Sequence, residues 1–234
     1  MALSLAQRHQ RRVLAALEAA ATAPAISMAG GTAYEMQLAQ LLQDRLRLKQ
    51  VQSNEGKAAL KLQLLPAYEP YVQGVLEAGN GAQDEVLTTI MVWRIDAADY
   101  SGALDIAAYV LQHNLLMPDR FERTTGCLIA EEIAEAALKS QKTGGGFDLS
   151  TLHRTLELTY EQDMPDEARA KLYLATGRAT VADLDAEHPG QPGQVEAGIE
   201  LLKRAIELNS SCGGKKDLEG AERLLKKLAP PTGS

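Results

Sequence analysis

The chain has 234 residues, 24 basic and 31 acidic side chains, two cysteines and an aromatic content of 4%. A chain of this length can build a core without disulfides, and its cysteine content argues against a secreted disulfide scaffold. The few aromatic residues and the lack of regular strand patterns disfavour β-sandwiches and barrels. Charge interrupts every apolar run, so we expect neither a signal peptide nor a membrane span. An all-α fold is therefore predicted.

The formal net charge of −7 is distributed unevenly along the chain. Residues 1–66 carry about +4, residues 67–200 about −14 and residues 201–234 about +3, by the count of charged side chains. A basic end on an acidic body is typical of a protein that meets a polyanion at one end and other proteins elsewhere, although chance and solvated helix faces would give the same numbers. The cations of the first segment are Arg8, Arg11, Arg12, Arg45, Arg47, Lys49, Lys57 and Lys61.

Helical periodicity and capping residues predict a series of helices along the whole chain. Ser53 is a predicted N-cap, Pro66 ends one helix, and Pro118 and Pro165 each open another. The segment 84–97 is apolar on almost every side and is expected at the centre of the core. The predicted helices cover residues 4–22, 33–52, 54–65, 68–79, 84–97, 100–114, 118–140, 149–160, from 165 onward, 195–206 and 218–228.

We predict four segments with different roles. Residues 1–66 form a basic helical region that we expect to meet a polyanion, and residues 67–187 form an acidic helical region that we expect to meet proteins. The Pro- and Gly-containing stretch 188–193 is a predicted linker. Residues 194–234 then form a C-terminal helical hairpin that either binds a partner or folds back on its own chain.

Two pairs of cations lie four residues apart on predicted helices: Arg45 with Lys49, and Lys57 with Lys61. Each pair therefore projects from one side of its helix. The pattern is compatible with a helix-turn-helix or a basic helical hairpin, without identifying a recognition helix.

The sequence contains neither a nucleotide-binding loop nor a zinc-binding pattern. Gly56-Lys57 is followed by alanine inside a predicted helix, and the glycines before Lys215 lack the upstream glycine and the Ser/Thr of a Walker A motif. The histidines and cysteines stand far apart and lack metal-ligand spacing. We therefore expect no ATP hydrolysis and no bound cofactor.

Three carboxylates are the best candidates for a metal-dependent nuclease site: Asp96, Asp99 and Asp105. A nuclease would need such groups to hold one or two divalent ions beside the scissile phosphate. However, Asp99 has the position of an N-cap, and Asp105 lies one turn into the same helix, where the helix dipole favours a carboxylate. We favour roles in capping and at the surface, so Mg²⁺ is expected only under the nuclease alternative.

Several stretches of the chain resemble one protein family. The stretches are DRLRLKQVQSNEGKAALKLQLLPAYEPYV, residues 81–124 and EQDMPDEARAKLY. The most specific motifs within them are residues 93–96 (WRID), 117–120 (MPDR) and 163–167 (DMPDE). Over residues 1–180 the chain is similar to small terminase subunits of P2-like temperate tailed phages, often labelled terminase endonuclease subunits. Residues beyond about 188 lie outside this resemblance.

The resemblance implies a role in packaging viral DNA in the host bacterial cytoplasm. Small terminase subunits bind the packaging (cos) site, form oligomers, commonly rings, and present DNA to a large subunit that carries the ATPase and usually the nuclease. The expected partners are thus double-stranded viral DNA, the large subunit and further copies of the chain. The resemblance implies that residues 1–66 bind the DNA, that residues 67–187 serve oligomerisation and that the C-terminal hairpin contacts the large subunit. Because the carboxylates form no convincing cluster, we expect the chain to direct cleavage rather than perform it; the alternative is a divalent-metal-dependent endonuclease.

Overall fold

A computed structural model describes residues 3–24, 26–118 and 123–228, and in these residues it is all-helical. The all-α prediction is confirmed. A single β-bridge, between Ser27 and Gln83, is the one strand-like contact in the described residues. The chain divides into two compact units, Met1–Thr125 and Gly126–Ser234.

In its described residues the N-terminal unit contains six α-helices and one short 3-10 turn, Leu65–Ala67. The helices are α1 (Leu5–Ala21), α2 (Thr32–Gln50), α3 (Asn54–Leu64), α4 (Glu69–Ala78), α5 (Glu85–Asp96) and α6 (Tyr100–Gln112). As predicted, α5 is central: Leu87, Ile90 and Met91 are fully buried, and the helix contacts α2, α3 and α6.

Helix α1 packs closely on α4 because α4 has a glycine at the crossing. A Cβ atom on Gly74 would lie 2.3 Å from the carbonyl oxygen of Arg12 and 2.8 Å from the Cβ of Ala15. Such distances are shorter than packed atoms tolerate, so only glycine allows this approach. The predicted basic region 1–66 is consequently packed against residues that follow it, rather than standing apart.

The N-terminus of α2 is capped by a side chain from another helix. Its N-cap residue, Gly31, makes no side-chain hydrogen bond, and Glu18 of α1 supplies the acceptor instead. The Glu18 carboxylate accepts hydrogen bonds from the backbone N–H of Ala33 at 2.9 Å and of Tyr34 at 3.3 Å. A negative charge at this position is favoured because the first N–H groups of a helix carry partial positive charge.

Up to residue 228, where the description ends, the C-terminal unit contains five helices: α7 (Thr125–Lys142), α8 (Leu149–Thr159), α9 (Asp166–Val181), α10 (Gln194–Leu208) and α11 (Lys215–Leu228). Leu202 and Ala205 of α10 are fully buried in a cluster that also contains Leu174 of α9. Small residues allow this packing: a Cβ on Gly198 would lie 2.3 Å from Cγ1 of Val181. The predicted hairpin thus packs on α9 of its own chain, and its binding of a partner stays a prediction.

Most predicted helix boundaries agree with the structure within about two residues, with one clear exception. We predicted a helix that begins at Pro118, but the observed helix begins at Thr125. Pro118, Arg123 and Thr124 are not helical. Residues 119–122, which include part of the 117–120 motif, lie outside the described residues. Pro66 belongs to the 3-10 turn after α3. The predicted linker 188–193 lies between α9 and α10, which pack together.

The roles predicted for the four segments stay predictions. The contacts divide the chain near residue 125, whereas the sequence suggested divisions near residues 66 and 188. No described helix is both long and apolar enough to cross a membrane.

Candidate nucleic-acid interface

Four of the predicted DNA-binding cations surround a single groove in the N-terminal unit. The groove has a volume of about 660 Å³ and lies between α2, α3 and α5. We call it the cationic groove. Its lining residues are Leu42, Arg45, Leu46, Leu48, Lys49, Lys57, Lys61, Val92, Trp93 and Asp96.

The groove brings together cations that are separated in the sequence because α2 and α3 both contact α5. Arg45 and Lys49 come from α2, and Lys57 and Lys61 come from α3. The four-residue spacing that the sequence showed on each helix thus becomes one basic rim. The apolar floor includes Trp93, which is 5% exposed and packs edge-on against Tyr68 with ring centroids 6.0 Å apart. Trp93 is therefore part of the core.

Two of the rim cations are held by carboxylates of α5. Nη2 of Arg45 donates to Oε1 of Glu85 at 2.8 Å and to Oγ1 of Thr89 at 3.0 Å. Lys61 forms an ion pair with Asp96. These pairs orient the two cations along the groove and offset part of its positive charge.

The other two rim cations, Lys49 and Lys57, form no ion pair within the described residues. Lys49 is exposed and Lys57 is half-buried. A lysine ammonium group has three donors and is strongly attracted to phosphate oxygens. These two side chains are consequently the most available phosphate ligands of the groove.

Arg47 has a different environment from the other cations of α2. It donates to Oδ1 of Asp44 at 2.8 Å, and Asp44, only 4% exposed, accepts a hydrogen bond from the hydroxyl group of Tyr68 at 2.8 Å. Burial and the neighbouring Asp44 raise the pKa of Tyr68. Arg47 thus belongs to a hydrogen-bond network that joins α2 to Tyr68, the residue between the 3-10 turn and α4.

The three arginines of α1 do not line the cationic groove. Arg8 is exposed, and Arg11 lines a separate cleft of about 240 Å³ between α1 and α2. Nε of Arg12 lies 3.8 Å from Oε2 of Glu77 on α4, at the surface. The eight predicted cations are therefore divided between α1 and the groove region.

Two of the three candidate nuclease carboxylates form ion pairs, and the third lies at the surface. Asp99 caps α6 by accepting from the backbone N–H of Gly102 at 3.1 Å, and it pairs with Arg94. Asp96 pairs with Lys61, and Asp105 is exposed on α6. In the described part of the chain, no three histidine, cysteine, aspartate or glutamate side chains are grouped so that they could hold a metal ion.

A fourth carboxylate, Asp84, is fully buried and caps α5. It accepts a hydrogen bond from the hydroxyl group of Tyr71 at 2.5 Å and from the backbone N–H of Leu87 at 2.8 Å. Burial raises the pKa of Asp84 to about 6, although these hydrogen bonds act in the opposite direction. The same burial raises the pKa of Tyr71. Sequence reasoning placed Asp84 on this helix but gave no sign of its partner.

The pairing of the groove cations was also missing from the sequence reasoning. Arg45 and Glu85 are 40 residues apart, and Lys61 and Asp96 are 35 residues apart. Local periodicity reports neighbours three or four residues away and so gives no signal for such pairs.

In its described residues the chain is thus a helical protein with a basic groove in its N-terminal unit. Residues 38–167, which span α2 to the start of α9, match the phage small terminase subunit family, and the chain belongs to that family. The predicted resemblance is confirmed.

Two relatives show how far the similarity extends. The chain is 42% identical over 228 residues to the "Terminase, endonuclease subunit" of Escherichia phage P2, covering 97% of this chain and 88% of the relative. It is 25% identical over 169 residues to the "Probable terminase, endonuclease subunit" of Haemophilus phage HP1, covering 70% and 60% of the two chains. The first match extends past residue 188, beyond the residues over which the sequence analysis identified the resemblance. No solved structure matches the chain.

Proposed function

We propose that this chain is the DNA-recognition subunit of a phage terminase and that its cationic groove binds duplex DNA at the packaging (cos) site. Membership of the family supports a role in phage DNA packaging. The observation that carries the finer proposal is the convergence of Arg45, Lys49, Lys57 and Lys61 on one groove.

In this mechanism the four cations contact phosphates and release the counterions that surround the DNA. Lys49 and Lys57 bind phosphate directly. Arg45 and Lys61 first have to exchange a carboxylate for a phosphate, which limits their contribution to binding. Phosphate contacts position the duplex and do not read its sequence. Specificity for the packaging site therefore requires further groups that reach the base edges.

The acidic part of the chain and its C-terminal hairpin have protein partners in this proposal. Copies of the chain associate, in a ring or another closed assembly, and the hairpin contacts the large subunit that carries the ATPase. The large subunit then cleaves and packages the DNA without a metal or other cofactor bound to this chain. The assembly acts in the cytoplasm of the bacterial host.

The groove is tested by replacing all four of its cations, Arg45, Lys49, Lys57 and Lys61, with glutamine. We expect binding to a duplex that carries the packaging site to weaken at least tenfold in moderate salt. The salt dependence should also become shallower, by about 0.9 in the slope of log K against log salt for each phosphate that the variant no longer neutralises. Fluorescence anisotropy over a series of salt concentrations measures both quantities.

A matched control removes the same charge from α11, by changing Lys215, Lys216, Lys226 and Lys227 to glutamine. All four are exposed, so the control should bind DNA like the parent protein. Circular dichroism establishes that both variants are folded. Equal affinity of the groove variant and the parent protein would refute the proposed interface.

The names of the two relatives favour a second candidate, in which the chain itself is the endonuclease. Incubating the purified chain and the packaging-site duplex with Mg²⁺ or Mn²⁺ discriminates between DNA recognition and DNA cleavage. We expect the DNA to remain intact. Cleavage by the purified parent chain that is abolished in Asp96→Asn or Asp99→Asn, with the fold preserved, would assign the nuclease to this chain.

A further inference from the structure

Helix α2 carries a second apolar stripe beside its buried side, and part of this stripe forms a wall of the cationic groove. The buried side of α2 consists of Ala33, Tyr34, Gln37, Leu41, Asp44 and Leu48. In the stripe, Leu42 and Leu46 are 51% and 56% exposed, and Ala39 between them and the helix start is also exposed. Large apolar side chains that stay exposed together on one helix face often mark a contact with another protein.

The stripe has the spacing of helices that pack along each other. It runs from Glu35 through Ala39, Leu42 and Leu46 to Lys49, with steps of four, three, four and three residues. At about 100° per residue, these positions share an arc of about 80° on the helix. Such a heptad seam suits a long contact with one other helix.

The order of residues in the stripe makes it complementary to itself in one orientation. We propose that two copies of this chain associate through α2, packed antiparallel about a two-fold axis at Leu42. Leu42 then meets Leu42 of the second copy, and the small Ala39 lies opposite the large Leu46. At both ends of the contact, Glu35 of one copy lies opposite Lys49 of the other.

Charge selects this arrangement over the parallel one. In a parallel pair, Glu35 would lie beside Glu35 and Lys49 beside Lys49, so both ends of the contact would repel. In the antiparallel pair both ends attract. Glu35 already accepts from the backbone N–H of Gly30 at 3.0 Å through one carboxylate oxygen, but a carboxylate can accept several hydrogen bonds. A second copy therefore satisfies the apolar and charged parts of the stripe together.

This inference rests on the proposed self-association of the chain, and it adds the surface and the orientation. The surface overlaps the cationic groove, because Leu42, Leu46 and Lys49 also line that groove. A second copy on α2 therefore competes with DNA for this part of the groove. All measurements of the contact are accordingly made without DNA.

The two-fold axis is tested by disulfide trapping. In full-length protein with Cys212→Ser, the remaining cysteine, Cys127, is buried. Adding Leu42→Cys should give a disulfide-linked dimer on mild oxidation, because the two introduced thiols face each other. The control variant carries Tyr160→Cys instead, at a side chain that is 71% exposed on the other unit. Failure of Leu42→Cys to crosslink faster than the control would overturn the proposal.

The orientation is tested by reversing the charges and measuring mass by sedimentation equilibrium. Glu35→Lys alone and Lys49→Glu alone should each weaken the dimer at least tenfold. The double variant should restore it, and a mixture of the two single variants should form heterodimers. Restoration also shows that the single variants did not merely unfold. If the double variant stays as weak as the single ones, the antiparallel contact is wrong.

The outcome separates this contact from the broader proposal. Leu42→Glu should abolish dimerisation through α2 and leave circular dichroism unchanged. Unaltered oligomers in this variant would overturn the α2 contact while supporting self-association through another surface. A wild-type chain that remains monomeric at high concentration would overturn both.

Discussion

The fully buried Asp84 shows how one residue can make stability depend on pH. Burial raises its pKa to about 6 in the folded protein, against about 3.9 for an unperturbed aspartate. Because the folded state holds the proton more tightly, its contribution to stability is complete below about pH 4. That contribution is lost as the pH rises through about 6.

We predict that Asp84→Asn removes this dependence. Asparagine stays neutral and still caps a helix well, so the variant should gain stability relative to the parent protein between pH 4 and 7. The gain should be at most about 1.4 kcal/mol per pH unit within the window of titration. Urea unfolding at several pH values measures it. Parallel stability curves for the two proteins would contradict the raised pKa, and Glu55→Gln, at an exposed side chain, is the control.

At the scale of elements, glycines set how closely pairs of helices approach. Gly74 allows α1 to lie against α4, and Gly198 allows α10 to lie against α9. From the sequence alone, both glycines are expected only to weaken their helices. The structure shows that close packing compensates for their lower helix propensity.

We predict opposite effects for two glycine-to-alanine changes in the C-terminal hairpin. Gly198→Ala should destabilise the protein by about 1–3 kcal/mol, because the new Cβ would lie 2.3 Å from the stiff side chain of Val181. Gly220→Ala should stabilise it by about 0.5–1 kcal/mol, since its site in α11 is open and alanine favours helix. Thermal or urea unfolding measures both. Equal effects would show that the α9–α10 contact is less close than described.

At the scale of the whole molecule, the net charge of −7 conceals a basic groove. Packing of α2 and α3 against α5 concentrates cations locally, although carboxylates outnumber cations in the chain as a whole. The expected ring and the proposed α2 contact also differ in symmetry. A ring needs a head-to-tail contact, whereas the antiparallel α2 contact is two-fold and closes after two copies.

An assembly that uses the α2 contact should thus contain an even number of copies. Native mass spectrometry of the full chain, with and without packaging-site DNA, measures this number. We expect Leu42→Glu to halve the assembly or to change its size. An odd number of copies in the parent assembly would show that α2 is not used in every subunit.

The sequence by itself determined the helical class, most helix ends and the central position of α5. These features depend on residues within about one turn of each other, as in the caps at Ser53 and Asp99. The sequence also identified which cations lie on one helix face, because helical spacing is local. The prediction that a helix begins at Pro118 was wrong, because a proline that can open a helix can equally belong to a loop.

Only the tertiary structure decided which helices meet and which charges pair. The capping of α2 by Glu18 and the pairing of Arg45 with Glu85 join residues 15 and 40 positions apart. The physical reason is that these contacts depend on how helices cross, and small residues such as Gly74 and Gly198 set that crossing. Helical spacing placed cations on α2 and on α3, and the packing of both helices on α5 made them one groove.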